Sequence, residues 1–226
     1  MQPFRIYSIH DHALTVEFSQ RISEDDNQKV LALMQAIEQE PISGLLDCVP
    51  AYSSLTLYHD ATLKREDVIR YLEKRIIASS THSNISENKT IITIPVCYDP
   101  VLGMDQQFVC EQLNITREEL IREHTAKPFR VYMIGFIPGF PYMGILPKGW
   151  QIPRKQTPSL KIPAGSVALA GQQTGIYPAE VPGGWQVIGR TPLKIFDGNR
   201  ETPCLLKAGD EVKFVSISLN EFNSLS

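Results

Sequence analysis

The sequence predicts an α+β protein in two parts. A small α+β sandwich occupies residues 1–80, a β-rich domain occupies 90–226, and a polar linker at 81–89 joins them. Three observations carry this. The first part alternates as strand, strand, helix, strand, strand, helix, so a small antiparallel sheet covered on one side by two helices buries both helical stripes. The run from Ser79 to Lys89 has Ile85 as its one large apolar residue and cannot bury enough surface to fold. From Phe129 onward, short β-rich runs are broken at frequent intervals by Pro and Gly, as in a barrel or a sandwich.

In chain order, residues 4–9 and 13–18 alternate as strands, with His10-Asp11-His12 as the turn between them. Two histidines around an aspartate bring a metal to mind, but a hairpin turn needs none and no further ligands cluster nearby, so no metal is expected. Ser23 reads as an N-cap, followed by Glu24, Asp25 and Asp26 in the first turn. Val30, Leu33, Met34 and Ile37 then form one helical stripe, which Pro41 and Gly44 end. Strands at 45–49 and 54–58 follow. A second helix spans 64–78, with Val68, Leu72 and Ile76 on one face. The second domain opens with a strand at 90–96 and a helix at 105–113. Thr116 and Glu119 form a capping box for a short helix at 117–123.

Residues 135–147, Gly-Phe-Ile-Pro-Gly-Phe-Pro-Tyr-Met-Gly-Ile-Leu-Pro, stand apart. Proline removes the N–H and glycine adds backbone entropy, so neither a helix nor a regular central strand is expected. The spacing predicts a fixed irregular loop. Its rings, Phe140 and Tyr142 among them, either pack under something or line a cleft.

Several residues are candidates for chemistry. His124, at the end of the capped helix, is either a helix C-terminal histidine or a proton donor at a cleft mouth. Arg154 and Lys155 follow Pro153 and are either solvated or hold a carboxylate or phosphate. Arg190 lies in an apolar run and needs a partner, structurally Asp197 or Asp210. Gln172, Gln173 and Thr174 sit between Gly171 and Gly175, where they either build a turn or bind a lactam or carboxylate. Tyr177 and Trp185 are core rings or pocket walls.

Composition bounds the rest. The 226 residues are 42% hydrophobic and 21% charged, as in ordinary globular proteins. A net charge of -3 gives no electrostatic case for nucleic acid or an anionic membrane. No apolar run reaches the ~20 residues of a membrane span. The four cysteines form no C-x-x-C pair, and no signal peptide is visible, so a cytoplasmic location is expected. There is no phosphate loop, dinucleotide fingerprint or nucleophile elbow. The chain holds a polar cleft without a self-sufficient set of catalytic groups.

The ordered series of the 135–147 loop, Pro153-Arg154-Lys155, Ile162 to Gly171, Gln172 to Pro178, Pro182-Gly183-Gly184-Trp185, Ile188 to Pro192 and Ala208 to Phe214 resembles one family, the B-type subunits of 5-oxoprolinase, also called KipI or allophanate hydrolase subunit 1. The likeness covers essentially the whole chain. It departs at Tyr98-Asp99-Pro100-Val101-Leu102-Gly103-Met104-Asp105, where such proteins usually have a glycine pair and an acidic residue after the tyrosine. The resemblance implies a compact α+β N-terminal domain followed by a cyclophilin-like β-barrel. It also implies one component of an ATP-dependent 5-oxoprolinase complex, inactive alone, paired with a C-like 5-oxoprolinase subunit, while a third, A-type component completes ring opening. On that basis His124, Arg154 and Arg190 are the candidate catalytic residues, with His124 assisting proton transfer and either arginine holding carboxylate or phosphoryl oxygens. Phe140, Tyr142, Gln172, Thr174, Tyr177 and Trp185 are the candidate substrate-binding residues. The rival implication is a KipI-type inhibitor that binds a sensor histidine kinase and blocks its autophosphorylation. Allophanate hydrolysis ranks last, for want of an amidase serine signature. A carboxyltransferase-like role would require a biotinyl partner.

Overall fold

A computed structural model of the chain describes residues 4–81 and 91–225. The chain divides into two compact units, Met1–Asn88 and Lys89–Ser226.

The first unit runs β1 (Arg5–His10), β2 (Ala13–Glu17), α1 (Glu24–Gln39), β3 (Leu45–Pro50), β4 (Ser54–His59) and α2 (Arg65–Thr81). Its strands form one antiparallel sheet in the order β1-β2-β4-β3. Ser23 caps α1 by accepting from the Asp26 backbone N–H at 3.3 Å. Val30, Leu33 and Ile37 of α1 and Val68, Leu72 and Ile76 of α2 meet Leu14, Val16, Leu55 and Leu57 of the sheet in one core. Met34, expected in the stripe, lies at its half-buried flank. Buried Asn27 donates to the carbonyls of Ala51 and Tyr52, tying α1 to the β3–β4 connection.

The polar run expected as a linker from Ser79 begins inside α2, which ends at Thr81. Ser79 donates its hydroxyl to the Ile76 carbonyl at 2.9 Å, so a polar residue serves the last helical turns. The rest of the expected linker lies outside the described residues.

The second unit opens with β5 (Ile91–Cys97), α3 (Gln106–Leu113), α4 (Arg117–Ala126), β6 (Phe129–Ile134) and β7 (Pro141–Gly144). It continues with β8 (Ser159–Ile162), β9 (Ser166–Ala170), β10 (Gln173–Ile176), β11 (Val181–Gly183), β12 (Gln186–Arg190), β13 (Glu211–Ile217) and α5 (Leu219–Leu225). Seven strands close a barrel in the order β10-β7-β6-β13-β5-β12-β9, which settles the choice between barrel and sandwich. Strand β13 runs parallel to β5, and the other barrel pairs are antiparallel. The reciprocal capping box of Thr116 and Glu119 starts α4 as the sequence predicts.

Alternation fills the barrel. Ile94 and Val96, Phe129 and Val131, Val167 and Leu169, and Val212 and Phe214 all enter one core with Met143, Ile176 and Ile188. The opposite face of β9 and β12 is buried too. There Ala168, Ala170 and Val187 join Phe140, Tyr177, Trp185 and Ile162 of β8 in a second apolar cluster. β8 pairs with β11 as a separate ribbon over this cluster. This is why β9, Ser-Val-Ala-Leu-Ala, is buried at every position.

The stretch 135–147 departs from the expectation of an irregular loop throughout, because Pro141–Gly144 is a barrel strand. The proline is tolerated as the first strand residue, where it pairs with Ile134. Tyr142 and Met143 then supply ordinary strand side chains between β6 and β10. The segment before Pro141 is a turn, and Ile145 to Pro147 after the strand is irregular. The turn is closed by Phe140 N–H donating to Ile137 O at 3.1 Å and Gly135 N–H donating to Phe140 O at 3.1 Å.

Candidate functional site

The second apolar cluster ends in a stack of rings. Phe140 lies at its centre, with ring centroids 4.9 Å from Tyr142, 5.1 Å from Tyr177 and 5.4 Å from Trp185. Tyr142 and Trp185 meet edge to face at 5.7 Å. Two glycines let the rings approach. A Cβ on Gly175 would stand 2.8 Å from the Phe140 ring, and one on Gly183 would overlap the Tyr177 hydroxyl. The Trp185 backbone N–H donates to that hydroxyl. Gly183→Ala is therefore expected to lower stability by about 1–3 kcal/mol. A reduced denaturant midpoint would bear this out, and an unchanged one would mean that Tyr177 yields freely.

Beside the rings, the segment 153–155 is clamped to the start of β12. Gln186 Nε2 donates to Pro153 O at 3.0 Å, and Lys155 N donates to Gly184 O at 2.7 Å. The Lys155 ammonium pairs with Asp105 Oδ2 at 2.6 Å and donates to Ser159 Oγ at 2.9 Å. Asp105 also accepts from Val187 N–H at 2.7 Å, while its own N–H donates to Val187 O at 2.9 Å. Arg154 stands exposed between these two anchored neighbours, with no hydrogen bond or ion pair among the described residues. Burial raises the phenol pKa of both Tyr142 and Tyr177, and the Arg154 guanidinium opposes the rise at each. The two rings and the arginine thus share one neighbourhood.

The structure separates the predicted residues into three groups. Arg154 and half-buried Tyr142 face outward together. Phe140, Tyr177 and Trp185 stand behind them as packed support, with Trp185 5% exposed. The third group lies elsewhere. His124 is not at a cleft mouth but wholly buried, stacked on Phe214 at 4.6 Å. Its Nδ1 is 2.7 Å from the Tyr98 hydroxyl and its Nε2 is 2.9 Å from the Thr174 hydroxyl. A neutral imidazole donates at one nitrogen and accepts at the other, and either hydroxyl can complement it. Burial drives the His124 pKa down to about 3 and pushes the Tyr98 phenol upward. Thr174 faces the barrel interior, opposite in register to core Met143, whereas Gly175 pairs with Tyr142.

Arg190 ends β12 at the far end from Trp185. Neither acid expected as its partner holds it. Its Nε donates to Ala164 O at 2.7 Å, and its guanidinium lies over the Phe222 ring at 5.9 Å. Asp197 pairs instead with Lys194, and the Asp210 carboxylate accepts from the Lys207 N–H. Gln172 is exposed on the β9–β10 turn, with its carbonyl taken by Leu146 N–H at 2.9 Å.

Sequence reading missed Asp105, whose partners lie 50 and 82 positions away, beyond any local pattern. It also missed Phe136, whose signal was an aromatic residue inside a glycine-flanked turn. Among the described residues no group of three or more His, Cys, Asp or Glu is placed to hold a metal ion. No helix there is long and apolar enough to cross a membrane. A groove of about 740 Å³ follows α3 and α4 past Met104, Cys110, Ile115 and Arg117; none of the ring residues lines it.

Comparison with known proteins gives this geometry a context. Residues 4–206 match the carboxyltransferase domain, subdomain C and D. The sequence is 39% identical to the 5-oxoprolinase B subunit of Bacillus subtilis (strain 168), over 98% of this chain and 96% of that protein. It is 33% identical to the 5-oxoprolinase B subunit of Escherichia coli O157:H7, over 95% of this chain and 97% of that protein. The solved structure of TTHA0988 superposes with a TM-score of 0.78 at 36% identity, covering 92% of this chain and 40% of the other. This chain therefore spans about 40% of the length of TTHA0988.

Proposed function

The chain belongs to the 5-oxoprolinase B-subunit family of carboxyltransferase-domain proteins, and from that premise we propose that it is the B subunit of an ATP-dependent complex that opens 5-oxo-L-proline to L-glutamate. Its partner in lactam activation is a C-like 5-oxoprolinase subunit, the A-type component completes ring opening, and the chain alone is inactive. The location is the cytoplasm, and the barrel is of the cyclophilin-like kind. The observation that carries the reading is Arg154, whose backbone is anchored on both sides through Pro153 and Lys155 while its guanidinium has no partner among the described residues, beside a wall of rings.

The chemical difficulty is an unreactive amide. ATP supplies the complex with the means to turn the lactam oxygen into a leaving group. In this chain Arg154 suits a carboxylate or phosphoryl oxygen, since a planar fork of donors matches either. Tyr142 presents a ring and a hydroxyl to the flat lactam, and Gln172 offers an amide from the neighbouring turn. Phe140, Tyr177 and Trp185 act as rigid backing and keep water from the rear of the wall. His124 and Thr174 have a positioning role, because their polar atoms satisfy one another inside the barrel. Arg190 is a structural cation. The kinase-inhibitor reading has no observation here in its favour.

The test is ATP- and 5-oxoproline-dependent phosphate release from the chain alone and from its mixture with A- and C-type counterparts. Turnover in the mixture only is the expected result. No turnover from folded, associating subunits would overturn the reading.

A further inference from the structure

Phe136 holds a backbone conformation that its side chain does not favour. Its φ is +64°, in the left-handed region that glycine enters freely and a bulky residue rarely does. The usual compensation is burial, yet Phe136 is 62% exposed. Among the described residues its ring makes one aromatic contact, edge to face with Phe140 at 5.8 Å. Packing within the chain therefore does not account for a phenyl group at this position. A γ-turn holds the backbone, with Ile137 N–H donating to Gly135 O at 2.8 Å across Phe136, and such outliers cluster at ligand-contacting sites.

The contact with Phe140 says where the ring belongs. Phe140 is 1% exposed and touches Tyr142, Tyr177 and Trp185, so the stack runs from the interior outward and Phe136 is its exposed end. Phe136 and Tyr142 are the members of the stack that a ligand can reach. Arg154 supplies charge near Tyr142, while Phe136 supplies none.

We propose that Phe136 is a specificity-determining contact, the outer lip of the ring wall that packs on the apolar methylene edge of a small cyclic amide whose anionic group lies toward Arg154. This rests on the function proposed above. A flat ring substrate would meet two aromatic groups at once, and an open-chain amino acid with the same carboxylate would lose that contact.

The experiment uses the assembled complex with Phe136→Gly and Phe136→Tyr, following KM and kcat for 5-oxoproline, the Tm of this chain and co-elution of the subunits. Glycine relieves the backbone, so the Phe136→Gly Tm should hold or rise. Its KM should increase about tenfold, the scale of one lost aromatic contact, with kcat changed less than about twofold. Phe136→Tyr, which keeps the ring, should retain the wild-type KM within about twofold. An unchanged KM in Phe136→Gly overturns the proposal. So does a Tm fall beyond about 5 °C, which makes the ring structural. Loss of co-elution overturns it in favour of a contact between subunits. A wild-type complex without turnover overturns the function and this inference together, whereas the other three outcomes leave the function standing.

Discussion

Replacing His124 by alanine is expected to lower the stability of the chain by about 3–5 kcal/mol. Two effects add. The ring stacked on Phe214 and tilted against Phe129 vanishes and leaves a cavity in a fully buried site. The hydroxyls of Tyr98 and Thr174 also lose their partner where water has no access. His124→Gln retains a donor and an acceptor and should recover part of the loss. Urea unfolding would check the series, and a loss below about 1 kcal/mol for the alanine variant would mean that the barrel core tolerates the gap.

The same histidine makes stability depend on pH, and the sign follows from its direction of shift. Its folded pKa is depressed from an ordinary 6.5 to about 3. Well above pH 6.5 neither folded nor unfolded chain is protonated there, so the contribution is flat. As pH falls below about 6.5 the unfolded chain takes up a proton that the folded chain refuses. Stability then declines by up to about 1.4 kcal/mol per pH unit until the folded pKa is reached. Carboxylates titrate mostly below about pH 5, so the interval from about pH 6.5 to 5 separates histidine from carboxylate titration, and the His124→Gln comparison singles out this imidazole. A wild-type slope there that His124→Gln abolishes is the expected pattern. Equal slopes would place the titration elsewhere.

Much of the fold was legible because local chemistry and global packing agree. The Ser23 cap, the Val30-Leu33-Ile37 stripe and the Thr116–Glu119 box each state a helix in a few residues, and the structure keeps all three. The barrel's inward residues follow a period of two on strand after strand. What the pattern could not state was closure, since a period of two is common to barrels and sandwiches. Pairings such as β13 with β5 join segments more than a hundred residues apart. Pro141 misled for a related reason. Proline forbids a central strand position but permits the first one, and only the neighbouring strands reveal which it occupies.

The site was half legible. Phe140, Tyr142, Tyr177 and Trp185 come from the glycine- and proline-rich segments that stand out in the sequence and pack on one another, but that Arg154 lies near them could not be read from spacing. His124 did not behave as its helix-terminal position suggested, because Leu120 and His124 lie four residues apart on the buried face of α4. A polar residue on an apolar face becomes a core hydrogen-bonding group when the opposing strand offers hydroxyls, and that strand lies 50 positions on. Asp105 was invisible for the same reason.

Arg154→Ala in the assembled complex is expected to reduce kcat/KM by about a hundredfold or more, the scale for removing a charged clamp on a reacting anion. Stability should stay within about 0.5 kcal/mol, since the side chain is exposed and holds nothing else in the fold. Arg154→Lys should recover little, because an ammonium cannot fork onto two oxygens. Asp105 governs whether that guanidinium is well placed. Asp105→Asn keeps an acceptor for Val187 N–H but leaves the Lys155 ammonium, with its side chain 14% exposed, without its counter-charge. It should lower stability by roughly 1–3 kcal/mol and also weaken activity, because the segment carrying Arg154 loosens. The double-mutant cycle separates the two routes. If Asp105 acts on turnover through Arg154, the Asp105→Asn change should lower kcat/KM little further once Arg154 is alanine, while the stability losses still add. Additive losses in kcat/KM would instead give Asp105 and Lys155 their own contact with the substrate and remove Arg154 as the sole anion-holding group of this wall.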